Sequence, residues 1–236
     1  MTSPRDPSDI LAILLDIEGT TTPIAFVSDV LFPYARQHLV EHITRHINSP
    51  DYAPIFASLR TEQTEDAATE RVPTSLPEYC AWLMDRDRKS TPLKELQGKI
   101  WKDGYTRGEL VGQVYDDVAA AFARWQARSV GVGIFSSGSV LAQQLLFRHS
   151  SSGDLSALLD WHFDTNVGAK GDPDSYRRIV ETIAVDASHV LFVSDVVREL
   201  DAARTAGLQT RLAVRPGNQP AGAHTHPVVQ SFDEIG

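Results

Sequence analysis

The segment ILAILLDIEGTTTPI, residues 10–24, joins a run of apolar residues to two acidic residues and a Gly-Thr turn. The run carries no charge before Asp16, which predicts a fully buried strand of a parallel sheet. Side chains two residues apart in an extended chain lie on the same side, so Asp16 and Glu18 can converge before Gly19 turns the backbone into a loop. One carboxylate could then attack a substrate while the other moves a proton. The alternative is an acidic turn with no chemical role.

The region from residue 131 to residue 215 alternates short apolar runs with segments of helical period. GVGIF precedes VLAQQLLFRH, VLFVSD precedes VVRELDAARTAG, and TRLAV follows. This order is typical of βαβ units, whose right-handed crossovers place their strands parallel to one another. Apolar positions 176, 179, 180 and 183 predict an amphipathic helix after Pro173, and Gly207 is placed to end the next helix. The sequence therefore predicts an α/β fold with a parallel sheet built from both ends of the chain.

The intervening residues, 23–125, are polar and rich in helix formers, are interrupted by prolines, and show no strand alternation. This composition predicts a helical insertion between two parts of an α/β core, residues 1–22 and 126–236. Because the insertion leaves the sheet at the carboxyl end of the first strand, where α/β sheets bind ligands, it could cover the site as a cap.

Composition limits the classes of partner. The 22 basic and 31 acidic residues give a formal net charge of −9, which argues against nucleic acid or an anionic membrane as a partner. A small anionic substrate remains compatible with this net charge. Charges more than a Debye length of roughly 8 Å away are screened, so the local charge of a pocket outweighs the total charge of the protein. Cys80 is the only cysteine, the first residues lack the apolar core of a signal peptide, and no apolar run approaches about 20 residues. We expect a cytoplasmic protein with no membrane partner.

Two later segments carry groups suited to a phosphate. Ser136 and Ser137 end an apolar run ahead of a helix that Ser139 could cap, so hydroxyls and free backbone amides would meet at one helix N-terminus. Lys170 lies in a glycine-rich loop just before the amphipathic helix and could reach inward as a point charge. The alternatives are a capped strand-to-helix turn and a solvated loop lysine.

A third segment, VLFVSDVVREL, carries two carboxylates. Four apolar residues lead to Ser194 and Asp195, and Glu199 lies on the same helix face as Asp195 at i+4. Carboxylates at the end of one strand, facing those of another, form the oxygen-rich surroundings that Mg²⁺ takes together with water and substrate phosphate. The alternative is an N-cap aspartate followed by a first-turn glutamate.

In this order, the motifs of Asp16 with Glu18, Ser136, Lys170, and Asp195 with Glu199 resemble those of the haloacid dehalogenase-like hydrolases. Longer segments resemble the acireductone synthase (enolase-phosphatase) family from about residue 10 to residue 218, insertion included; they are DIEGTTTPIAFVSDVLFPYAR, KIWKDGYTRGEL, QVYDDV, IFSSGSVLAQQLLF, HFDTNVGAK and SDVVRELDAA. The resemblance implies a Rossmann-like core with a helical cap, and a monomer that uses one Mg²⁺ per chain. The activity it implies is a step of methionine salvage, a methionine biosynthesis route: enolisation of 5-methylthio-2,3-dioxopentyl phosphate, then its dephosphorylation to the acireductone 1,2-dihydroxy-5-(methylthio)pent-1-en-3-one.

The same resemblance implies roles for individual residues. The metal site would comprise Asp16, Glu18 and Asp195, with Glu199 supporting it, and the substrate contacts would be Ser136, Ser137 and Lys170. Asp16 would form an aspartyl-phosphate, Lys170 would neutralise the charge of the transferred phosphoryl group, and Glu18 would move the proton. Whether Glu18 would bind the metal through its side chain or its backbone carbonyl is open.

Several alternatives stay open at this point. The wider superfamily normally carries Asp where Glu18 stands, and its motifs alone would also fit a Mg²⁺-dependent sugar-phosphate or nucleotide phosphatase, or a phosphate-binding module without turnover. The base for enolisation could be Glu18, or Glu109 or Lys102 of the insertion. Tyr105 and Arg107 could approach the substrate or belong to a hinge.

A separate histidine pattern occurs in the insertion. His38, His42 and His46 recur every fourth residue, a spacing that can place imidazoles on one helix face for Zn²⁺. No neighbouring cysteine or carboxylate motif completes such a site, so the alternative is a partly exposed helix face.

Overall fold

The computed structural model describes residues 9–236. Within them a six-stranded parallel sheet has the order β3-β2-β1-β4-β5-β6. The strands are β1 Ala12–Leu15, β2 Gly131–Phe135, β3 Trp161–Phe163, β4 Val190–Ser194, β5 Gln209–Ala213 and β6 Val228–Val229. This arrangement confirms the predicted α/β class with a parallel sheet.

Helices connect the strands and form the insertion. The α-helices are α1 Ile24–Phe26, α2 Phe32–His46, α3 Ala53–Ala67, α4 Leu76–Asp85, α5 Thr91–Thr106, α6 Val118–Ala127, α7 Val140–Arg148, α8 Pro173–Ile183 and α9 Val197–Thr205. Val27–Leu31 forms a π-helical turn after α1, and short 3₁₀ turns occur at Ser156–Leu158, Ala187–His189 and Phe232–Glu234. No helix within residues 9–236 is both long and apolar enough to cross a membrane.

Strand β1 lies inside the sheet, which explains its uniformly apolar sequence. None of its four residues is more than 1% exposed, and β2 and β4 pair with it on either side. Leu14 is in register with Gly133 on one side and Phe192 on the other. The chain moves from β1 to β2 and β3 in one direction along the sheet, then continues with β4 on the opposite side of β1. The strand order therefore reverses between β1 and β4, the place where open α/β sheets bind ligands.

The predicted helix after Pro173 is α8. Asp172 caps its start by accepting a hydrogen bond from the Asp174 amide. Tyr176 and Ile179, on the apolar face of this helix, are fully buried. The next helix, α9, ends at Thr205, two residues before Gly207, whose φ of +94° an L side chain rarely adopts.

The chain divides into two compact units. Among the described residues, those from 9 to 27 together with Val111–Gly236 form the core unit, and Ser28–Leu110 form the inserted unit. The insertion predicted from composition, 23–125, is therefore wider than the inserted unit. At its C-terminal side, α6 belongs to the core unit.

Burial explains the place of α6. Phe122 and Trp125 are fully buried, with Phe122 against Phe147 and Trp125 against Phe232. The indole of Trp125 also donates to the Ile235 carbonyl at 3.3 Å. The alanine-rich sequence of α6 indicates a helix but does not indicate which unit the helix packs on.

The inserted unit has its own apolar core. Leu39 of α2, Leu59 of α3, Leu83 of α4 and Leu96 of α5 are each at most 2% exposed. Residues 28–110 are all described, and they form helices and turns without a strand. The prediction of a helical insertion agrees with this architecture.

Candidate active site

The candidate site lies in the core unit, where the carboxyl ends of three adjacent strands meet. Asp16 directly follows β1, Ser136 follows β2 and Asp195 follows β4. Because all strands of a parallel sheet point the same way, these residues share one edge of the sheet. Asp16 and Asp195 flank the reversal of strand order.

Backbone hydrogen bonds hold Asp16 in place. Its amide donates to the Val193 carbonyl at 3.0 Å, so its main chain extends the pairing with β4, and the residue is 5% exposed. The following loop is tightly wound, because the Ile17 carbonyl accepts from three successive amides, those of Thr20, Thr21 and Thr22, at 3.2, 3.0 and 2.9 Å. Gly19 adopts φ +67° in this loop, and its amide donates to the Thr22 carbonyl at 2.8 Å.

Lys170 joins two carboxylates inside the site. Its Nζ lies 2.5 Å from Asp16 Oδ1 and 2.7 Å from Glu199 Oε2, and its side chain is only 10% exposed. Burial lowers the pKa of Lys170, but the negative charges of Asp16 and Glu199 outweigh burial and hold that pKa above its usual value. The Tyr176 hydroxyl fixes the loop by donating to the Lys170 carbonyl at 2.7 Å. Lys170 is therefore an oriented buried cation, and the solvated loop lysine does not fit.

The two carboxylates of the third segment occupy different positions. Glu199 is oriented by Ser194, whose hydroxyl donates to Oε2 at 3.0 Å and accepts from the Val196 amide at 3.1 Å. Val196, without a capping side-chain bond, is the N-cap of α9, so the alternative of Asp195 as a helix cap is wrong. Asp195 therefore lies at the carboxyl edge of the sheet, between β4 and α9.

Burial and neighbouring negative charge raise the pKa of both Asp195 and Glu199. Burial, followed by the charges of Asp16 and Glu199, raises the pKa of Asp195 to about 7. Burial and the charge of Asp16 likewise raise the pKa of Glu199. Three carboxylates therefore surround the single ammonium of Lys170, and a further cation would lower the electrostatic free energy of this cluster.

Ser136 and Ser137 lie where a phosphate could meet a helix N-terminus. Ser136 is 3% exposed, its amide donates to the Phe163 carbonyl at 3.2 Å, and its hydroxyl oxygen accepts from the Gly138 amide at 3.1 Å. Because a hydroxyl that accepts can still donate, its proton is available to an anion. Ser137 is exposed, and Ser139 caps α7 by accepting from the Ala142 amide.

Glu18 is half-buried in the loop after Asp16, where its backbone forms a bridge with Thr22. The expected convergence of its side chain with Asp16 stays a prediction. Its proton-transfer role and its manner of binding a metal stay predictions.

Three residues that support the Asp16 loop were missed from the sequence. Asn218 donates to the Gly19 carbonyl at 2.9 Å, and Arg215 donates from Nε to the Thr20 carbonyl at 3.1 Å. Arg215 also forms a buried ion pair with Asp117, with 2.7 Å between Nη1 and Oδ2. Arg215 and Asn218 lie in or beside a segment whose composition indicates a loop, and no local pattern relates them to residues almost two hundred positions earlier.

Candidate residues of the insertion all lie in the inserted unit. Tyr105 is buried, whereas Lys102, Arg107 and Glu109 are exposed. Arg107 pairs with Glu109 at 3.0 Å, and the Tyr34 hydroxyl donates to Glu109 at 2.5 Å. Their suggested roles near substrate stay predictions.

The histidine pattern gains a carboxylate that the local sequence did not reveal. His42 Nδ1 lies 3.3 Å from Asp103 Oδ2 across the α2–α5 interface, and the rings of His42 and His46 are tilted by 47° with 4.6 Å between their centroids. Burial lowers the pKa of His42 to about 4, against the opposing effect of Asp103. His38 lies apart from this group, with its ring against Tyr34.

Comparisons with known proteins agree with this geometry. The model of the haloacid dehalogenase-like hydrolase family matches residues 10–207. The chain is 48% identical to the enolase-phosphatase E1 of Synechococcus elongatus, over 97% of this chain and 99% of the relative, and 46% identical to that of Pseudomonas aeruginosa, over 96% and 98%. The crystal structure of the UTR4 protein of Saccharomyces cerevisiae superposes with a TM-score of 0.80 at 34% identity, covering 95% of this chain and 99% of that one. A family match over most of the chain and similarity to these relatives over nearly its whole length lead to one assignment: the chain belongs to the enolase-phosphatase family of haloacid dehalogenase-like hydrolases and is a phosphatase.

Proposed function

We propose that this phosphatase is a bifunctional enzyme of methionine salvage. It enolises 5-methylthio-2,3-dioxopentyl phosphate and then dephosphorylates the enol to the acireductone 1,2-dihydroxy-5-(methylthio)pent-1-en-3-one. The observation that carries the chemistry is the buried Lys170 ammonium, which joins Asp16 and Glu199 at the end of the central strand. The names of the relatives support the choice of reaction.

The carboxylate cluster fits a divalent metal ion. Burial and the charges of Asp16 and Glu199 raise the pKa of Asp195 to about 7, even with Lys170 beside these carboxylates. An all-oxygen donor set of this kind suits Mg²⁺, which we propose to be held by Asp16, Glu18 and Asp195, one ion per chain, with Glu199 supporting the site. When bound, Mg²⁺ would supply positive charge opposite the phosphoryl oxygens.

Asp16 is the proposed nucleophile. One of its carboxylate oxygens attacks phosphorus, the ester P–O bond of the substrate breaks, and the phosphoryl group is carried as an aspartyl-phosphate. Lys170 holds the Asp16 carboxylate in a fixed direction and offers its charge to the transferred group, while Ser136 and Ser137 donate to the phosphate. Water then attacks phosphorus, the P–O bond to Asp16 breaks, and phosphate leaves.

Proton transfer is assigned to Glu18. It protonates the leaving oxygen in the first displacement and accepts a proton from water in the second. For the preceding enolisation, a base must remove a proton from the carbon next to a carbonyl. Glu18 is our first candidate for this base, and Glu109 or Lys102 of the inserted unit is the second.

The test follows both products during one reaction with the diketo phosphate. With Mg²⁺ present we expect an enol absorbance to rise and phosphate to be released, and we expect EDTA or Asp16→Asn to abolish phosphate release. Release that survives either treatment would contradict the mechanism. Turnover of sugar phosphates or nucleotides in preference to the diketone would favour another Mg²⁺-dependent phosphatase, and phosphate binding without any turnover would favour a non-catalytic module.

We also propose that the enzyme acts as a monomer in the cytoplasm, without nucleic acid or membrane as a partner. Its formal charge of −9 disfavours binding to polyanions and to anionic lipid surfaces. Light scattering at micromolar concentration should give a mass near 26.0 kDa, and a mass of twice that value would contradict the monomer.

A further inference from the structure

The inserted unit contains a second group of metal-ligating side chains, far from the phosphatase chemistry in both sequence and type. His42 and His46 lie one turn apart on α2, and Asp103 reaches them from α5. One potential ligand atom from each residue lies within 4.8 Å of the other two. We propose that His42, His46 and Asp103 form a Zn²⁺ site with water as the fourth ligand.

The spacing of one ligand pair already matches zinc. Nitrogen and oxygen ligands lie about 2.0–2.1 Å from Zn²⁺, so two of them at a tetrahedral angle are about 3.3 Å apart. His42 Nδ1 and Asp103 Oδ2 are separated by 3.3 Å. These two atoms therefore already have the separation that two tetrahedral zinc ligands need.

The third ligand needs only a small movement. From a separation of at most 4.8 Å, the His46 nitrogen must approach by at most about 1.5 Å to reach tetrahedral spacing. His46 is half-buried, and the Asp103 side chain is 36% exposed, so both can rotate and leave an entry path for the ion. His42, at 4% exposed, is the rigid member of the group.

A hydrogen bond on the far side of His42 suits metal binding. Its Nε2 lies 3.0 Å from the Tyr52 hydroxyl, whose ring stacks on His46 at 4.2 Å between centroids. Metal-ligating histidines normally donate their other ring N–H to such a partner, which fixes the tautomer. In the metal-free protein, a neutral His42 donates Nδ1–H to Asp103 and accepts from the Tyr52 hydroxyl through Nε2. When the metal binds, the imidazole proton moves to Nε2 and is donated to Tyr52, and Zn²⁺ takes its place at Nδ1.

The donor types select the ion. Two imidazoles and one carboxylate suit Zn²⁺, whereas Mg²⁺ prefers the all-oxygen surroundings of the carboxylate cluster in the core unit. Positive groups nearby reduce the affinity, namely Lys99 over the Tyr52 ring at 4.8 Å and Arg45 and Arg107, whose charges act on His42. A bound ion would tie α2 to α5 within the inserted unit.

The experiment measures Zn²⁺ binding to the full chain by competition with a chromophoric chelator. Millimolar Mg²⁺ is present throughout to occupy the carboxylate cluster. We expect one Zn²⁺ per wild-type chain and affinity lower by more than about tenfold in both His46→Gln and Asp103→Asn, since each loses one of only three protein ligands. His38→Gln removes an imidazole from the same helix but outside the group, and its affinity should equal that of wild type.

A second measurement reports the geometry. Co²⁺ bound in place of Zn²⁺ should give the intense visible absorption of a tetrahedral site in wild type and His38→Gln, and lose it in the other two variants. His42 is left unchanged because it is buried, and circular dichroism checks that each variant is folded. Absence of Zn²⁺ binding to wild type, or unchanged affinity in either folded ligand variant, would overturn the proposal.

Discussion

Gly19 is the residue on which the shape of the Asp16 loop depends most directly. Its φ of +67° is one that L side chains rarely adopt, and a Cβ added there would lie 2.4 Å from Asp195 Oδ2 and 2.8 Å from Asn218 Oδ1. Asp195 is a proposed metal ligand, and Asn218 donates a hydrogen bond to the loop. The absence of a side chain at Gly19 therefore leaves the space that both residues occupy.

Gly19→Ala should therefore impair catalysis more than stability. Displacing Asp195 by about 1 Å can cost on the order of a hundredfold in rate, so we expect kcat/KM for phosphate release to fall by at least about tenfold. Backbone strain should add a stability loss of about 1 kcal/mol. Gly153→Ala is the matched control, because Gly153 has φ +94° with no atom within 4 Å of the added Cβ. Equal loss of activity in the two variants would show that strain, not collision with Asp195, is responsible.

At the scale of elements, most of the strands that could be predicted are apolar runs inside the sheet. These are β1, β2 and β4, whose composition follows from their burial, whereas β5 has the sequence QTRLA, alternates half-buried and buried residues, and was predicted from its place in the βαβ order. β3 was missed because Trp161–Phe163 is a three-residue strand, half-buried throughout, that pairs with only one neighbour. The width of the insertion was wrong at α6 for a similar reason, since helix-forming composition does not encode which unit a helix packs against.

The same distinction applies to the site. Asp16, Ser136 and Asp195 stand at or next to the ends of apolar runs, so their convergence follows from parallel strand order. Lys170 was predicted from its glycine-rich loop before the amphipathic helix, and its contacts with Asp16 and Glu199 required the structure. Arg215, Asn218 and Asp103 act through contacts distant in sequence, and neither spacing nor local composition indicates such contacts. Long-range side-chain partners are the part of the site that required the structure.

Arg215 links three elements of the core unit, and its removal should destabilise all of them. It donates to the Thr20 carbonyl, to the Gln230 carbonyl at 2.9 Å and to Asp117 before α6, with its side chain 4% exposed. Arg215→Gln leaves the Asp117 carboxylate buried without its counter-charge, so we expect a loss of about 3–5 kcal/mol in the free energy of unfolding. Urea denaturation of the variant and of wild type measures this loss.

Arg124→Gln provides the comparison for Arg215→Gln. Arg124 pairs with Asp233 at 3.4 Å, with side chains 34% and 69% exposed, and such exposed pairs contribute about 0–1 kcal/mol. Arg124 also donates to the Phe232 carbonyl, which adds about 1 kcal/mol to the expected loss. A loss for Arg215→Gln no larger than that for Arg124→Gln would contradict the linking role.

At the scale of the whole molecule, the core unit concentrates negative charge at its candidate site in a chain that already carries a formal charge of −9. The pKa of Asp195 is about 7 in the fold, against 3.8 as its ordinary value. At a pH between these two pKa values, Asp195 has lost its proton in the unfolded chain and retains it in the folded chain. The free energy of unfolding must then decrease as the pH rises from about 4 to about 7.

Metal-free protein should therefore lose thermal stability between about pH 5 and pH 7.5 through this group. Asp195→Asn cannot titrate, so its Tm should fall less over the same range, and the histidines, which titrate in both proteins, cancel in the comparison. Each kcal/mol of difference corresponds to about 2–4 °C for a chain of this size. At about pH 7.5, Mg²⁺ should raise the Tm of wild type by binding the folded state, and raise that of Asp195→Asn much less. Equal pH slopes for the two proteins would mean that Asp195 is ionised in the metal-free fold, and an equal response to Mg²⁺ would remove Asp195 from the proposed metal site.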